Sequence, residues 1–303
     1  HGLTRENMAI RVKTFLQEGF FKIDPYEGMP PLFMDLDGKS EFHAGPFWNH
    51  NIEYLKERSR GYEYSEDLFC PGMFELELNT GQQLIFRASL AEPHAKADLL
   101  WKKETKRRAS LIARHAHEPI DLARLKRRAS DFIIERKDGA TSLVAGYPWF
   151  GEWGRDAMIS LPGLAFCSDK VEEGKNVLRT FSKEMRDGLL PNFLTMGNTH
   201  FHRHAYNSVD ASLWFFFAAH ALYKVSYEKA SSVAEFLPAM KNIIDAFLNS
   251  ASSHVSCHEN GLLWAGNENT QLSWMDAAVD GVPVTSRYGY AVELNSLWFF
   301  ALS

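Results

Sequence analysis

Apolar and polar residues alternate in short stretches over the first third of the chain. The stretches 14–21, 73–78 and 84–90 have the period of two that is typical of β-strands, and Asn79-Thr80-Gly81 is typical of a turn. Glycine and proline recur in the segments between them. We therefore expect residues 1–92 to form the end of a β-sandwich-like N-terminal domain.

Beyond residue 136 the apolar residues recur at helical spacing. The pattern predicts helices over 170–186, 210–227 and 232–250, and a last helix that begins near Tyr288. Ser232 and Glu235 have the spacing of a capping box, although Pro238 would delay the start of that helix. Residues 137–303 are thus predicted to be all-α, with long loops of the kind that carry binding residues.

The segment between these regions, residues 93–136, is basic. Its lysines and arginines are interleaved with leucine and isoleucine at helical spacing. Such a segment is typical of a nucleic-acid-binding patch or of a solvated helical linker. Because the formal net charge of the whole chain is −5, we expect a linker and no nucleic-acid partner.

The composition indicates a soluble globular protein, with 45% hydrophobic and 23% charged residues. Its three widely spaced cysteines are expected to be reduced thiols in a cytoplasmic protein. The longest apolar run, 213–222, is too short to cross a bilayer, and no secretory signal is present, so we expect no membrane partner. Because the chain starts at His1 and stops at Ser303 inside an apolar helical pattern, we expect it to be a piece of a longer protein.

The most distinctive segment is 147–156, Tyr-Pro-Trp-Phe-Gly-Glu-Trp-Gly-Arg-Asp. Aromatic rings such as Trp149 and Trp153 stack on the C–H faces of a sugar, and the adjacent Arg155 and Asp156 can grip neighbouring hydroxyls. The alternative is a loop whose tryptophans pack into the core. The segment is therefore a candidate sugar-binding site.

Two further loops contain candidate polar residues. In 206–214, Asn207 and Asp210 could bind sugar hydroxyls, while Ser208 or Asp210 could cap the next helix. In 261–277, Asp276 follows Trp274 by two residues in an apolar setting. Apolar surroundings favour a neutral carboxyl group, which a general acid requires, so Asp276 is either a candidate acid or a helix cap.

A third loop, 284–298, places Glu293 in an apolar helical pattern. A buried carboxylate needs a partner, which would be Arg287 or a ligand. Elsewhere His200, His202 and His204 alternate as in some metal sites, but no HExxH motif or cysteine pair accompanies them. We expect a polar loop there, no metal and no cofactor.

Four motifs in this order resemble the glycogen debranching enzyme family, specifically its amylo-α-1,6-glucosidase catalytic domain in the bacterial and archaeal form. They are 149–156, 206–214, 274–277 and 292–295. Residues 53–69 are similar to the end of that family's N-terminal domain. The resemblance implies a β-rich domain followed by part of an (α/α)6 toroid of the glucoamylase-like type, truncated at the C-terminus.

The resemblance also implies a function: inverting hydrolysis of the α-1,6-linked glucose at glycogen branch points, with glycogen or a branched α-glucan as partner. Asp276 would be the general acid, and Arg155 and Asp156 would hold the glucose. The other implied substrate-binding residues are Trp149, Trp153, Asn207, Asp210, Trp274 and Glu293.

The general base of this family is implied to lie beyond Ser303, so the chain alone is expected to lack it. Other glucoamylase-like or trehalase-like toroid hydrolases, or a non-catalytic glucan-binding fragment, remain alternatives. Residues 1–303 indicate no site for a 4-α-glucanotransferase activity, and the oligomeric state stays open.

Overall fold

The computed structural model describes residues 3–17, 20–38, 40–147, 150–194, 205–252 and 254–303. The chain divides into two compact units, His1–Arg114 and His115–Ser303. The division falls inside the basic segment 93–136. Each unit buries apolar residues of its own.

The first unit is β-rich. It contains a four-stranded antiparallel sheet in the order β1-β2-β3-β6 and a two-stranded antiparallel ribbon, β4-β5. Its elements are β1 Thr14–Gln17, β2 Phe20–Ile23, β3 Leu32–Leu36, β4 Ser40–Glu53, α1 Leu55–Ser59, β5 Ser65–Leu76, β6 Phe86–Ser89 and α2 Ala97–Arg114. The alternating stretch 14–21 contributes to both β1 and β2, and the stretch 84–90 contains β6. The β-rich start predicted from the sequence is therefore confirmed.

Aromatic contacts hold the ribbon of the first unit against its sheet. The ring of Phe21, which is fully buried, stacks on Phe42 of β4 with 4.1 Å between centroids. Asp35 and Arg87 are opposite each other on β3 and β6 and form a two-pronged ion pair at 2.6 and 2.7 Å. Such a pair fixes the register of the two strands as well as neutralising a nearly buried carboxylate.

Several charges of α2 are paired within the helix. Lys102 contacts Asp98 at 3.2 Å, and Glu104 accepts hydrogen bonds from both Arg107 and Arg108. The two arginines hold the pKa of the Glu104 carboxyl at about 2. Pairs at this spacing are typical of a solvated helix.

The second unit is mainly helical. Its helices are α3 Ile120–Phe132, α4 Gly154–Leu164, α5 Val171–Lys183, α6 Asp210–Val225, α7 Lys229–Ala234, α8 Leu237–Leu248 and α9 Val292–Leu302, with a 3-10 helix at Phe166–Ser168. Short antiparallel strands pair between the helices, which the all-α prediction did not include. They are β7 Ile133–Glu135, β8 Thr141–Leu143, β9 Glu152–Trp153, β10 Phe193–Leu194, β11 Val255–Cys257, β12 Leu263–Ala265, β13 Ala278–Val279 and β14 Val282–Pro283.

Two predicted helix starts differ from the structure, although the delay expected from Pro238 is confirmed. The stretch 232–250 is two helices, α7 and α8, and Pro238 lies in the first turn of α8. Ser232 lies inside α7, where its hydroxyl donates to the carbonyl of Lys229, and Glu235 pairs with Arg179 of α5 instead of closing a capping box. The last helix, α9, begins at Val292 rather than near Tyr288, because the backbone at Gly289 has a φ of +93° and leaves the helical region.

Helix α6 lies at the centre of the second unit. It contacts α4, α5, α7, α8 and α9. Its side chains are apolar on most faces, and Leu213, Phe215 and Leu222 are fully buried. A helix of that character is stabilised by neighbours on all sides, and its fixed position also fixes Asp210, its first residue. Among the described residues no helix is both long and apolar enough to cross a bilayer.

The packing of α4 predicts a contrast between its two glycines. A Cβ at Gly154 would lie 2.2 Å from the carbonyl oxygen of Pro191, whereas nothing lies within 4 Å of a Cβ at Gly163. Gly154→Ala should therefore lower the free energy of unfolding by about 1–3 kcal/mol. Gly163→Ala should leave it unchanged or raise it by up to about 1 kcal/mol. Urea denaturation midpoints of the two variants test this, and equal midpoints would contradict the packing.

Candidate functional site

The buried side chain of Arg155, the second residue of α4, connects three separate segments of the second unit. Its Nε donates to Asp210 Oδ2 at 2.7 Å, and its Nη1 donates to Asp276 Oδ2 at 2.9 Å. Its Nη2 donates to Ser208 Oγ at 3.2 Å and to the carbonyl of Ser273 at 2.8 Å. A guanidinium has five N–H groups, so these four contacts leave Arg155 little capacity to bind sugar hydroxyls directly.

Asp210 is the buried partner in this arrangement. Its side chain is 2% exposed, and its Oδ1 accepts a hydrogen bond from the Ser208 hydroxyl at 2.5 Å. Ser208 Oγ also accepts from the backbone N–H of Ala211 at 3.3 Å, which connects Ser208 to the first turn of α6, whose N-cap is Val209. Asp210 is turned toward Arg155, and its two oxygens are bonded to protein donors.

The charge of Arg155 is stabilised by these neighbours. Burial alone would lower its pKa, but the hydrogen bond and charge of Asp210, followed by those of Asp276, outweigh burial and raise the pKa of Arg155. The guanidinium is therefore a permanent positive charge between two carboxylates.

Asp276 is the accessible partner. Its side chain is 31% exposed, and the neighbouring Trp274 is 56% exposed. The sequence predicts an apolar setting that would favour a neutral carboxyl group, whereas the structure places this carboxylate against the Arg155 guanidinium, so apolar surroundings do not support the acid role. An accessible carboxylate that is held by a buried cation, two residues along the chain from an exposed tryptophan, is an arrangement that can act on a ligand from solvent.

The other residues predicted to bind sugar differ in their exposure and surroundings. Trp153 is half-buried on β9, and its ring lies 5.1 Å from that of Phe193 on β10. Asp156 is exposed in the first turn of α4 and, together with Arg155, lines a cavity of about 360 Å³. Asn207 is exposed just before α6. Trp149, also predicted to bind sugar, lies outside the described residues.

Glu293 belongs to a separate ion pair. Both of its oxygens contact Arg287, with Arg287 Nε 3.0 Å from Oε1 and Nη2 close to Oε2. This is one of the two partners that the sequence left open. The neighbouring Asn295 exchanges two hydrogen bonds with the backbone of Leu263, at 2.8 and 3.1 Å, and so anchors α9 to β12.

Sequence reasoning missed two polar residues near the site. Glu152, inside the aromatic motif, is fully buried and accepts a hydrogen bond from Arg136 at 2.5 Å. Ser273 contributes the carbonyl that binds Arg155. The available signal for Glu152 was its position among aromatic residues. Such a position predicts burial, and a buried carboxylate requires a partner.

One cluster elsewhere has the composition of a metal site. His115, Glu118 and Asp169 have ligand atoms within 4.8 Å of one another. The ammonium group of Lys126 lies among them, 2.7 Å from Glu118 and 3.1 Å from Asp169, and supplies the positive charge that a metal would otherwise provide. The alternating histidines 200, 202 and 204 lie outside the described residues.

Comparisons with known proteins identify the family. Residues 127–303, more than half of the chain, match the family described as amylo-alpha-1,6-glucosidase, and residues 1–85 match the glycogen debranching enzyme N-terminal family. The chain belongs to the glycogen debranching enzyme family. The motif around Arg155 and the segment around Asp276 both lie inside the matched glucosidase region of this family member.

A relative is the glycogen debranching enzyme of Saccharomyces cerevisiae. It is 26% identical over 226 residues, which cover 54% of this chain and 14% of the yeast protein. The match thus spans a small part of that relative's length.

The buried ion pair predicts a difference in stability between two aspartate variants. Asp210→Ala removes a buried partner of Arg155 and should lower the free energy of unfolding by about 3–5 kcal/mol. Asp245→Ala, which removes an exposed pair with Lys241 on α8, should lower it by about 0.5 kcal/mol or less. Urea denaturation followed by tryptophan fluorescence measures both. Similar losses would show that the buried pair has no special importance for the fold.

Proposed function

We propose that this chain forms part of an inverting amylo-α-1,6-glucosidase, which removes α-1,6-linked glucose from the branch points of glycogen in the cytoplasm. The observation that carries the proposal is the accessible carboxylate of Asp276, which buried Arg155 holds two residues along the chain from the exposed Trp274. The match of residues 127–303 to the amylo-alpha-1,6-glucosidase family supports it.

In this proposal Asp276 is the general acid that protonates the glycosidic oxygen. Arg155 bonds to Oδ2 of Asp276, so Oδ1 is the oxygen that would carry the proton. The fixed guanidinium keeps the carboxyl group in one orientation, which proton transfer in the transition state requires. Asp210 and Ser208 in turn hold the guanidinium.

The remaining residues bind the sugar in this proposal. Trp274 and Trp153 provide ring faces for stacking, and the exposed Asp156 and Asn207 offer polar groups to sugar hydroxyls. Arg155 acts mainly through Asp276, because four of its N–H groups are bonded to protein acceptors. Asp210 is proposed to act through Arg155 for the same reason, since protein donors bind both of its oxygens.

Inversion requires a second carboxylate, about 6.5–9.5 Å from the acid, that activates water. Glu293 does not fit that role well, because both of its oxygens are bonded to Arg287. As the family resemblance implies, we propose that the base comes from outside these 303 residues. We further propose that α4, α5, α6, α8 and α9, which contain much of the helical core, belong to an (α/α)6 toroid.

The acid role predicts the effect of one isosteric substitution. In the protein that contains this chain, Asp276→Asn should slow glucose release from a branched limit dextrin about 10²–10⁴-fold, because an amide cannot donate the proton. Glucan binding should remain, since the side chain keeps its shape. Asp280→Asn is the matched control, because Asp280 is exposed in the turn between β13 and β14 and its φ of +50° suits asparagine.

Glucose release by Asp276→Asn at the rate of Asp280→Asn would exclude the acid role. A substrate panel tests the linkage: the proposal requires activity on α-1,6-glucosyl compounds, and preference for maltosyl compounds or trehalose would instead indicate another toroid hydrolase.

A further inference from the structure

A group of four aromatic side chains lies on the surface of the second unit, away from the core. We name it the Trp264 cluster, and it consists of His258, Trp264, Tyr288 and Tyr290. The His258 and Trp264 rings are stacked 5.6 Å apart at an angle of 10°. Tyr290 meets both rings edge-on, at 5.4 Å from His258 and 5.1 Å from Trp264.

Hydrogen bonds keep these rings in place. The indole Nε1 of Trp264 donates to the carbonyl of Gly266 at 3.2 Å, and the hydroxyl of Tyr290 lies 2.5 Å from Nδ1 of His258. The backbones of Ala265 and Gly289 exchange two hydrogen bonds, at 3.1 and 2.9 Å. The positive φ of Gly289 lets the chain turn beside the indole ring, so the tyrosines on either side of it are held near Trp264.

The cluster is open to solvent. Tyr288 is 47% exposed and Tyr290 is 41% exposed, while His258 is exposed and Trp264 is half-buried. A fixed group of large rings that water can reach is unusual on a soluble protein and is typical of a binding surface. Rigid rings also lose little conformational entropy when a ligand binds.

Arg287, next to Tyr288, is not available as a cation for an anionic ligand, because both carboxylate oxygens of Glu293 pair with it. The exposed carboxylate of Glu259, next to His258 in the chain, disfavours an anion as well. The tyrosine hydroxyls and the indole of the cluster are uncharged hydrogen-bonding groups. A neutral ligand with apolar C–H faces and many hydroxyls matches this surface, and a glucose unit of a glucan has both.

The cluster is connected to the segment that contains the candidate acid. The backbones of Arg287 and Gln271 form an isolated β-bridge, and the Ser286 hydroxyl donates to the carbonyl of Glu268 at 3.1 Å. The chain then continues from Gln271 to Trp274 and Asp276. The cluster and the candidate acid therefore lie on connected segments of the second unit.

We propose that the Trp264 cluster binds glucose units of the α-1,4-linked chain of the glucan, at a position separate from the glucose that is removed. The proposal rests on the proposed function for the choice of glucan. The cluster would hold the substrate by stacking and contribute no group to bond cleavage.

Binding of maltoheptaose to the 303-residue chain tests the proposal. Trp264→Ala should raise the Kd for maltoheptaose about tenfold, and Trp264→Phe, which keeps a ring, should recover most of the affinity. Trp101→Ala is the matched control, because Trp101 is a 57% exposed tryptophan on α2 of the other unit. Urea midpoints of all variants establish that each one is folded, and Tyr290→Ala supplies a second test if Trp264→Ala does not fold.

Unchanged maltoheptaose affinity in folded Trp264→Ala and Tyr290→Ala would overturn the proposal. Two other results would overturn it too. Equal binding of cellohexaose would indicate an unselective surface. Self-association of the chain that Trp264→Ala abolishes would indicate a contact with a second copy. The measurement needs no turnover. If the Asp276→Asn test fails while these Kd values change as expected, only the proposed reaction is wrong.

Discussion

The guanidinium of Arg155 joins the start of α4, the start of α6 and the segment that contains Asp276. Burying this charge is costly unless carboxylates and hydrogen-bond acceptors surround it. Asp210, Asp276, Ser208 and the carbonyl of Ser273 fulfil that requirement. The geometry of the candidate site is therefore tied to the packing of the helical core, because α6 cannot shift without disturbing Asp210.

The two carboxylates that share Arg155 differ mainly in exposure. Asp210 is sealed inside the unit, while Asp276 reaches solvent beside Trp274. A single cation thus links a structural carboxylate to one that can meet a ligand. In the proposed enzyme the two carboxylates therefore have different roles: Asp210 fixes the position of Arg155, and Arg155 orients Asp276, the acid. The Trp264 cluster adds an exposed aromatic surface on a connected segment.

The sequence predicted those features that depend on local pattern. Helical spacing of apolar residues marked α5, the strongly apolar character of 210–227 marked α6, and period-two alternation marked β6. The capping box at Ser232 failed because a tertiary contact, Glu235 with Arg179, outweighed a local preference. Arg155, Asp210 and Asp276 were each selected from their motifs, but their mutual contact was not predicted. The residues are 55 and 121 positions from Arg155, and no local pattern encodes such a pairing.

The measurement that tests the central claim most directly is a crystal structure with a sulfur-linked analogue of an α-1,6-glucosyl maltooligosaccharide, in the protein that contains this chain. The account predicts that the linking sulfur lies beside the Asp276 carboxyl group. The glycosidic oxygen of the natural substrate, placed at the same position, would then be about 2.6–3.2 Å from a carboxyl oxygen of Asp276. It also predicts that Arg155 remains bonded to Asp210 and Asp276. An analogue bound with its linkage against another carboxylate, and with Asp276 far from it, would contradict the account.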